Sequence, residues 1–319
     1  MPYLDTEKSK LDPMPEFRIL LLSMLLFPLV ALTQTATRPA VVISTDIGGS
    51  DPDDYQSMVH LLMYADRLDI RGLVSSPPGE GRVAHIQEVI DAYAQDYGKL
   101  KEHGPFFPTP DILRRYIKQG ATEPQNGSLP DTTISEGARW IVEQAMAMQR
   151  RPLYILVWGS ITDVAQALQY RPAIKDNIRV YSIGSWNTEQ DPKARDYLYQ
   201  QHPDLWWIEN NTTFRGMYMG GFQKKKMDNA GFVEKYVKDA GALGKLFWEK
   251  KKDIKMGDTP SVLYLLNGNP DAPDGESWGG TFKATDHGPQ YWTDDPEHYP
   301  GNLLWWDGLS SRFALGVSA

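Results

Sequence analysis

The feature that most constrains this chain is a short run just past residue 40. A β-branched apolar segment, Val41 to Thr45, stops at a carboxylate, Asp46, passes through Gly48 and Gly49, and resumes as Asp51, Pro52, Asp53 and Asp54. Val, Ile and Thr at successive positions favour a buried strand. Proline among acidic residues just before an apolar-periodic stretch marks the start of a helix. The same run packs four aspartates into nine residues. Like charges a few ångströms apart raise one another's pKa, so all four cannot stay ionised in a tight cleft without a counter-charge. A hard divalent cation is the usual remedy. At this level one alternative stays open, that Asp51 or Asp53 simply caps the helix.

Beyond this run, strand and helix patterns alternate, which predicts an α/β fold: an open, mainly parallel, Rossmann-like sheet flanked by helices, in a single domain over residues 40–310. Asp54 to Ala65 reads as a helix with Met58, Leu61, Leu62 and Ala65 on one face, and Ile70 to Val74 as the next strand. Helices are expected over Val83 to Tyr97, Asp111 to Lys118, Ser135 to Gln149 and Ile161 to Leu168. Strands are expected over Leu153 to Val157, Ile178 to Ile183 and Leu205 to Ile208. The stretch from Asn267 to Gly308, rich in Gly, Pro, Asp and Trp, reads as long surface loops. In open α/β sheets the ligand site lies outside the carboxyl ends of the strands. The small and polar residues that end these strands are therefore expected to converge on one cleft.

The N-terminus carries a separate signal. Ile19 to Leu32 is an apolar stretch of signal-peptide length, preceded by Arg18 and followed by the polar Thr33 to Arg38. Residues 1–36 thus read as a signal peptide or N-terminal hydrophobic segment, with Met14 as an alternative start, in a secreted or periplasmic protein; an uncleaved anchor is the alternative. The formal net charge of −8 argues against a nucleic-acid partner. Lys224 to Lys226 is a short basic run that reads as a solvated face. With no cysteine in the chain, disulfides, thiolate metal sites and cysteine nucleophiles are excluded together.

Three later segments extend the acidic run into a pattern. Ile155 to Ala165 combines a strand, the Trp158-Gly159 turn and Thr162 at a helix start; Asn187 to Ala194 contains Asp191 and Pro192; Gly257, Asp258, Thr259 and Pro260 form the last. In this order, over roughly residues 40 to 265, they resemble the inosine-uridine type nucleoside hydrolases. The resemblance implies a Ca2+ held by Asp46, Asp54, Asp258 and the backbone carbonyl of Trp158. It implies that Asp53 is the general base, that Asn187 holds a sugar hydroxyl, and that the register among Asp51, Asp53 and Asp54 remains to be assigned. The reaction implied is hydrolysis of N-glycosidic, nucleoside-like or related glycosidic bonds in a small sugar or nucleoside-like substrate, by a homo-oligomer. A cation that acidifies water beside a carboxylate that accepts its proton is coherent chemistry for such a step.

The departures from the pattern carry equal weight. Ser44 stands where the family has its first aspartate, Ser185 where it has a ribose-contacting glutamate, and Gly257 where a leaving-group histidine is common. Asp53 to Ser57, Trp207 to Asn210, Phe214 to Met217 and Ser277 to Gly280 resemble a bacterial secreted subgroup of nucleoside hydrolase-like domains, often labelled cellulose-binding. The rival expectation is thus a non-catalytic carbohydrate-binding protein that keeps a structural metal site. Glu209 and Asn210, at the end of an apolar strand, are expected to contact substrate. Trp278, in a loop between Ser277 and two glycines, is expected to stack on a sugar face. His85 and His287 read first as packing or surface residues and second as proton donors.

Overall fold

Eight strands among the described residues form one sheet in the order β3-β2-β1-β4-β5-β6-β8-β7. They are β1 (Ala40–Thr45), β2 (Asp69–Ser75), β3 (Ile117–Gln119), β4 (Leu153–Val157), β5 (Ile178–Ile183), β6 (Trp207–Asn210), β7 (Phe282–Thr285) and β8 (Gly288–Asp294). Every neighbouring pair is parallel except β7 and β8. The computed structural model describes residues 38–49, 51–79, 81–124, 134–219 and 228–295. The apolar N-terminal segment, Lys224 to Lys226, and the C-terminal Trp305 and Trp306 lie outside them. The described residues belong to one compact unit.

Alternation along the central strands builds two cores, one on each face of the sheet. On β1, Val41 and Ile43 face one core while Ala40 and Val42 face the other; on β4, Tyr154 and Leu156 alternate in the same way with Leu153, Ile155 and Val157. The first core is covered by the helices Asp53–Met63, Val83–His103, Gly241–Lys250 and Thr259–Asn267, which contribute Met58, Leu61, Ile90, Phe247 and Leu263. The second is covered by Glu136–Ala147, Thr162–Tyr170 and Pro192–Gln201, through Ile141, Val164 and Leu198. Each fully buried Leu or Ile contributes about 1.5–3 kcal/mol, so this two-sided burial holds the sheet rigid beneath the loops.

The chain runs from β1 outward through β2 to β3, then returns to place β4 on the other side of β1. The β1/β4 boundary is therefore the topological switch point, where a crevice opens at the carboxyl ends of the strands. Asp46 follows β1 there and Trp158 follows β4.

Two expectations about elements need correction. The stretch read as surface loop after Asn267 contains β7 and β8, and β8 joins β6 in parallel through Tyr291 and Trp292. Those side chains pack on Trp207 and Trp206, with ring centroids 5.3 Å and 5.2 Å apart. Such a strand is stabilised by partners about eighty positions away, which local composition does not register. Likewise the helix expected to run to Lys118 is Pro110–Arg115, and Ile117–Gln119 crosses into the sheet as β3 beside β2.

Candidate active site

The acidic cluster is built by two elements meeting beyond the switch point. After β1, the Gly49 N–H donates to the Asp46 carbonyl at 2.8 Å, closing a tight turn in which Gly48 has a φ of 89°. A Cβ on Gly48 would run into the imidazole of His85, so both conformation and space call for glycine. The turn delivers the chain to the helix Asp53–Met63, whose cap position is Pro52, without a side-chain cap. No aspartate is consumed as that cap, and the capping alternative is removed. Asp51 instead pairs with Lys255.

Asp53, Asp54 and Asp258 each present a carboxylate oxygen, all within 4.8 Å of one another. Asp258 stands at the cap position of the helix Thr259–Asn267 and makes no side-chain cap bond; its Oδ2 is buried with no hydrogen-bond partner among the described residues. Its backbone is anchored instead. Ser261 Oγ donates to the Asp258 carbonyl at 2.7 Å, and the Trp158 indole donates to Ser261 Oγ at 2.8 Å, tying the end of β4 to the third carboxylate. Asp46 lies beside this trio, sharing a hydrogen bond with Asp54, which also accepts one from the Thr45 hydroxyl. Sequence reasoning left the register among Asp51, Asp53 and Asp54 open; the geometry brings in Asp53 and Asp54.

Burial and mutual repulsion act in the same direction on these groups. Burial, then the charge of Asp54, pushes the Asp53 carboxyl up to about 8, and burial, then Asp53, pushes Asp46 up to about 7. Asp54 and Asp258 are driven well above the usual carboxylate range, by burial first and next by a neighbouring charge, that of Asp46 on Asp54 and that of Asp54 on Asp258. An isolated buried carboxylate is costly, and four together need either protons or a cation. Hard oxygen donors with one buried orphan oxygen fit a hard cation.

The carboxylates lie in a cleft of about 370 Å3 that also takes in Trp158 and Asn187. Asn187 donates both amide hydrogens to backbone carbonyls, to Trp158 at 2.7 Å and to Ile183 at 3.1 Å. Its Oδ1 is then the atom it can offer a sugar hydroxyl. A search of curated proteins returns none similar in sequence. The family model described as "Cellulose-binding Sde182, nucleoside hydrolase-like domain" matches residues 40–282.

The chain belongs to that family.

Solved structures place this Sde182-family domain in the nucleoside hydrolase fold. A nucleoside hydrolase-related protein from Saccharophagus degradans, associated with carbohydrate metabolism, superposes with a TM-score of 0.71 at 23% identity, over 88% of this chain and 72% of the other. The inosine-uridine preferring nucleoside hydrolase of Bacillus anthracis gives 0.54 at 14%, over 86% and 99%. The type III effector XopQ, solved with adenosine diphosphate ribose, gives 0.54 at 12%, over 88% and 95%.

Not every expected residue of the Sde182-family site reaches the cleft. Glu209 is 2% exposed and faces the second core: Arg195 donates to it from Nη2 at 2.8 Å and Nε at 3.2 Å, and the Tyr291 hydroxyl donates to the same carboxylate. Asn210, one residue on, faces the opposite side, where its amide donates to the Tyr181 hydroxyl at 3.0 Å and its carbonyl accepts from Phe214 N at 3.1 Å. Both are structural anchors, because the strand carries them into the two cores before it ends. Trp278 packs against the first core and does not line the cleft. His85 bonds Tyr55 at 2.7 Å and His287 stacks on Tyr199, so both are packing residues.

Sequence reasoning missed Trp186, Tyr218 and Lys255 in the cleft, and named Ser185 and the Arg215 segment only in comparison with the family, with no role in this site. Gly257 has a physical reason. A Cβ there would lie 2.8 Å from Asp53 Oδ2, so a side chain at 257 would press on the carboxylate cluster.

Proposed function

We propose that this domain, spanning about residues 40–310 behind an N-terminal export signal over 1–36, is a secreted Ca2+-dependent hydrolase of N-glycosidic or related glycosidic bonds. The observation that carries the reading is the buried carboxylate cluster at the switch point, with the unpartnered Asp258 Oδ2 inside it. Its small-molecule partner is a sugar or nucleoside-like compound, in keeping with a carbohydrate-associated relative and one solved with adenosine diphosphate ribose.

Asp54 and Asp258, with Asp46 behind Asp54 and the Trp158 carbonyl beside them, would hold the Ca2+, and Asp53 borders the same space. The chemistry a bound Ca2+ supplies is neutralisation of the carboxylates and acidification of water at the site. Asp53 takes the proton of the attacking water at its carboxylate, an oxygen of which lies within 4.8 Å of those of Asp54 and Asp258. The remaining negative charge stabilises an oxocarbenium-like sugar at the transition state. Asn187 orients the sugar by accepting a hydroxyl hydrogen at Oδ1 while its amide braces the Trp158 carbonyl. The leaving-group side carries no histidine at 257, so the leaving group departs without that donor.

The family description as cellulose-binding favours one second reading, a carbohydrate-binding protein in which the metal is structural. Asp53→Asn separates the two. Under the hydrolase reading it abolishes sugar release from a panel of nucleosides and aryl glycosides while Ca2+ still raises Tm. A wild-type protein that binds sugars with Ca2+ yet cleaves no panel member would establish the binding reading instead. If neither Ca2+ nor EDTA moves Tm, the metal site itself is refuted.

A further inference from the structure

We propose that Ser185 and Arg215 form an oxyanion subsite of the cleft, so that its ligand is a sugar carrying a carboxylate or a phosphate. The inference deepens the glycoside reading above and rests on it for the sugar.

Arg215 Nη2 donates to Ser185 Oγ at 3.2 Å, and both residues line the cleft that holds the carboxylates. Because the serine oxygen accepts from the guanidinium, its own hydrogen is free to point outward as a donor. The guanidinium has no acceptor and five N–H donors, of which this contact uses one. The pair thus offers the cleft the serine O–H and the remaining guanidinium N–H donors. Its charge is not cancelled by the bond, since the partner is a neutral hydroxyl. The other cation of the cleft, Lys255, is already paired with Asp51.

Ser185 itself supplies a second, independent observation. Its φ of 57° and ψ of −116° match the first central position of a type II′ turn, which glycine dominates. The strained backbone is held in place by Asn211, whose Oδ1 accepts from Ser185 N at 2.7 Å. A side chain kept where glycine would be unstrained points to a use for that side chain. The resemblance places a ribose-contacting glutamate at this position. A carboxylate only accepts hydrogen bonds, and suits a sugar hydroxyl. Arg215 only donates, and Ser185 has its hydroxyl hydrogen to give beside it; together they suit an oxyanion. Tyr218, Arg215, Asp53 and Asp258 line the same cleft, so the cationic and acidic parts face one space.

The test is calorimetry on the wild-type protein in saturating Ca2+, with matched ligands: methyl β-D-ribofuranoside against its 5-phosphate, and methyl α-D-galactopyranoside against the corresponding uronate. The anionic member of at least one pair is expected to bind about tenfold more tightly, and which pair responds tells phosphate from carboxylate. Arg215→Gln is expected to erase the preference and Arg215→Lys to retain part of it. Ser185→Gly relieves the backbone strain, so a loss of preference there cannot be ascribed to misfolding. Equal binding of both members, or a preference indifferent to Arg215→Gln and Ser185→Gly, overturns the subsite. Neutral-sugar binding and a Ca2+-induced rise in Tm that survive such a result leave the glycoside reading standing. An Arg215-dependent anion preference without any Ca2+ effect would sink the metal reading and keep the subsite.

Discussion

The backbone N–H of Lys255 donates to the side-chain Oε1 of Gln56 at 2.7 Å, joining two residues 199 positions apart. The same side chain, fully buried, donates from Nε2 to the carbonyls of Lys251 at 3.0 Å and Asp253 at 2.9 Å. Gln56 lies two residues after Asp54, and the segment it grips ends three residues before Asp258. One carboxamide therefore sets the distance between the two halves of the acidic cluster. Gln56→Leu is expected to cost about 2–3 kcal/mol in denaturant unfolding, because buried backbone groups lose their partner. It should also weaken Ca2+ binding about tenfold by calorimetry. A variant that loses stability but binds Ca2+ as before would show that Asp258 is positioned by other contacts, such as the Ser57 and Thr259 hydroxyl pair at 3.2 Å.

The acidic cluster makes stability depend on pH in a definite sense. Asp46 and Asp53 are raised in the folded state to about 7 and about 8, from an ordinary 3.8. The folded protein then holds protons that the unfolded chain has released, so this stabilisation is complete below pH ~4 and is lost as pH rises through about 7 to 8. Asp163, buried and pushed up to about 6, adds to the fall over the lower part of that window. Without metal, Tm should be higher at pH 5 than at pH 8. Because Ca2+ requires deprotonated ligands, its effect on Tm should grow over the same interval. Thermal melts in EDTA and in excess Ca2+ across this range check both, and a flat metal-free profile would contradict the burial of the cluster.

Glu209 should behave as a structural residue. Glu209→Gln removes the counter-charge of the partly buried Arg195, with an expected loss of about 3 kcal/mol in denaturant unfolding. Sugar affinity of the folded variant should stay within about twofold of wild type. A selective loss of sugar binding at unchanged stability would return Glu209 to the binding surface.

Position 257 tests how tightly the cluster is packed. Gly257→Ala brings a methyl group to within 2.8 Å of Asp53 Oδ2, a contact that forces the carboxylate to move. Ca2+ affinity is expected to fall about tenfold, with metal-free Tm little changed. Gly257→His should fail in the same way, not restore a proton donor, because the obstruction begins at Cβ. Full Ca2+ affinity in either variant would mean that the Asp53 carboxylate does not help to hold the ion.

Much of the fold is legible along the chain. The strands around Val41 to Thr45, Leu153 to Val157 and Ile178 to Ile183 announce themselves because each is buried on both faces, so nearly every position is apolar. The helix carrying Asp53 and Asp54 is equally visible, through proline, acids and the Met58, Leu61, Leu62 stripe. Tyr291 and Trp292 are different. Their strand exists because the rings of Trp207, on β6, and Trp206, just before it, await them, and nothing in the flanking Gly-, Pro- and Asp-rich residues signals that.

The site divides along the same line. Sequence by itself determined that carboxylates stand at the end of the first strand, because a strand end, a glycine turn and a helix start are local events. That Asp258 and Asn187 belong with them was implied only by the resemblance. Tertiary structure decided which acids meet, that Glu209 and Asn210 turn into opposite cores, and that Arg215 reaches Ser185. Those outcomes depend on strand register and on contacts between residues thirty to two hundred positions apart, and a side chain's direction at such a meeting point is set by the partner it finds.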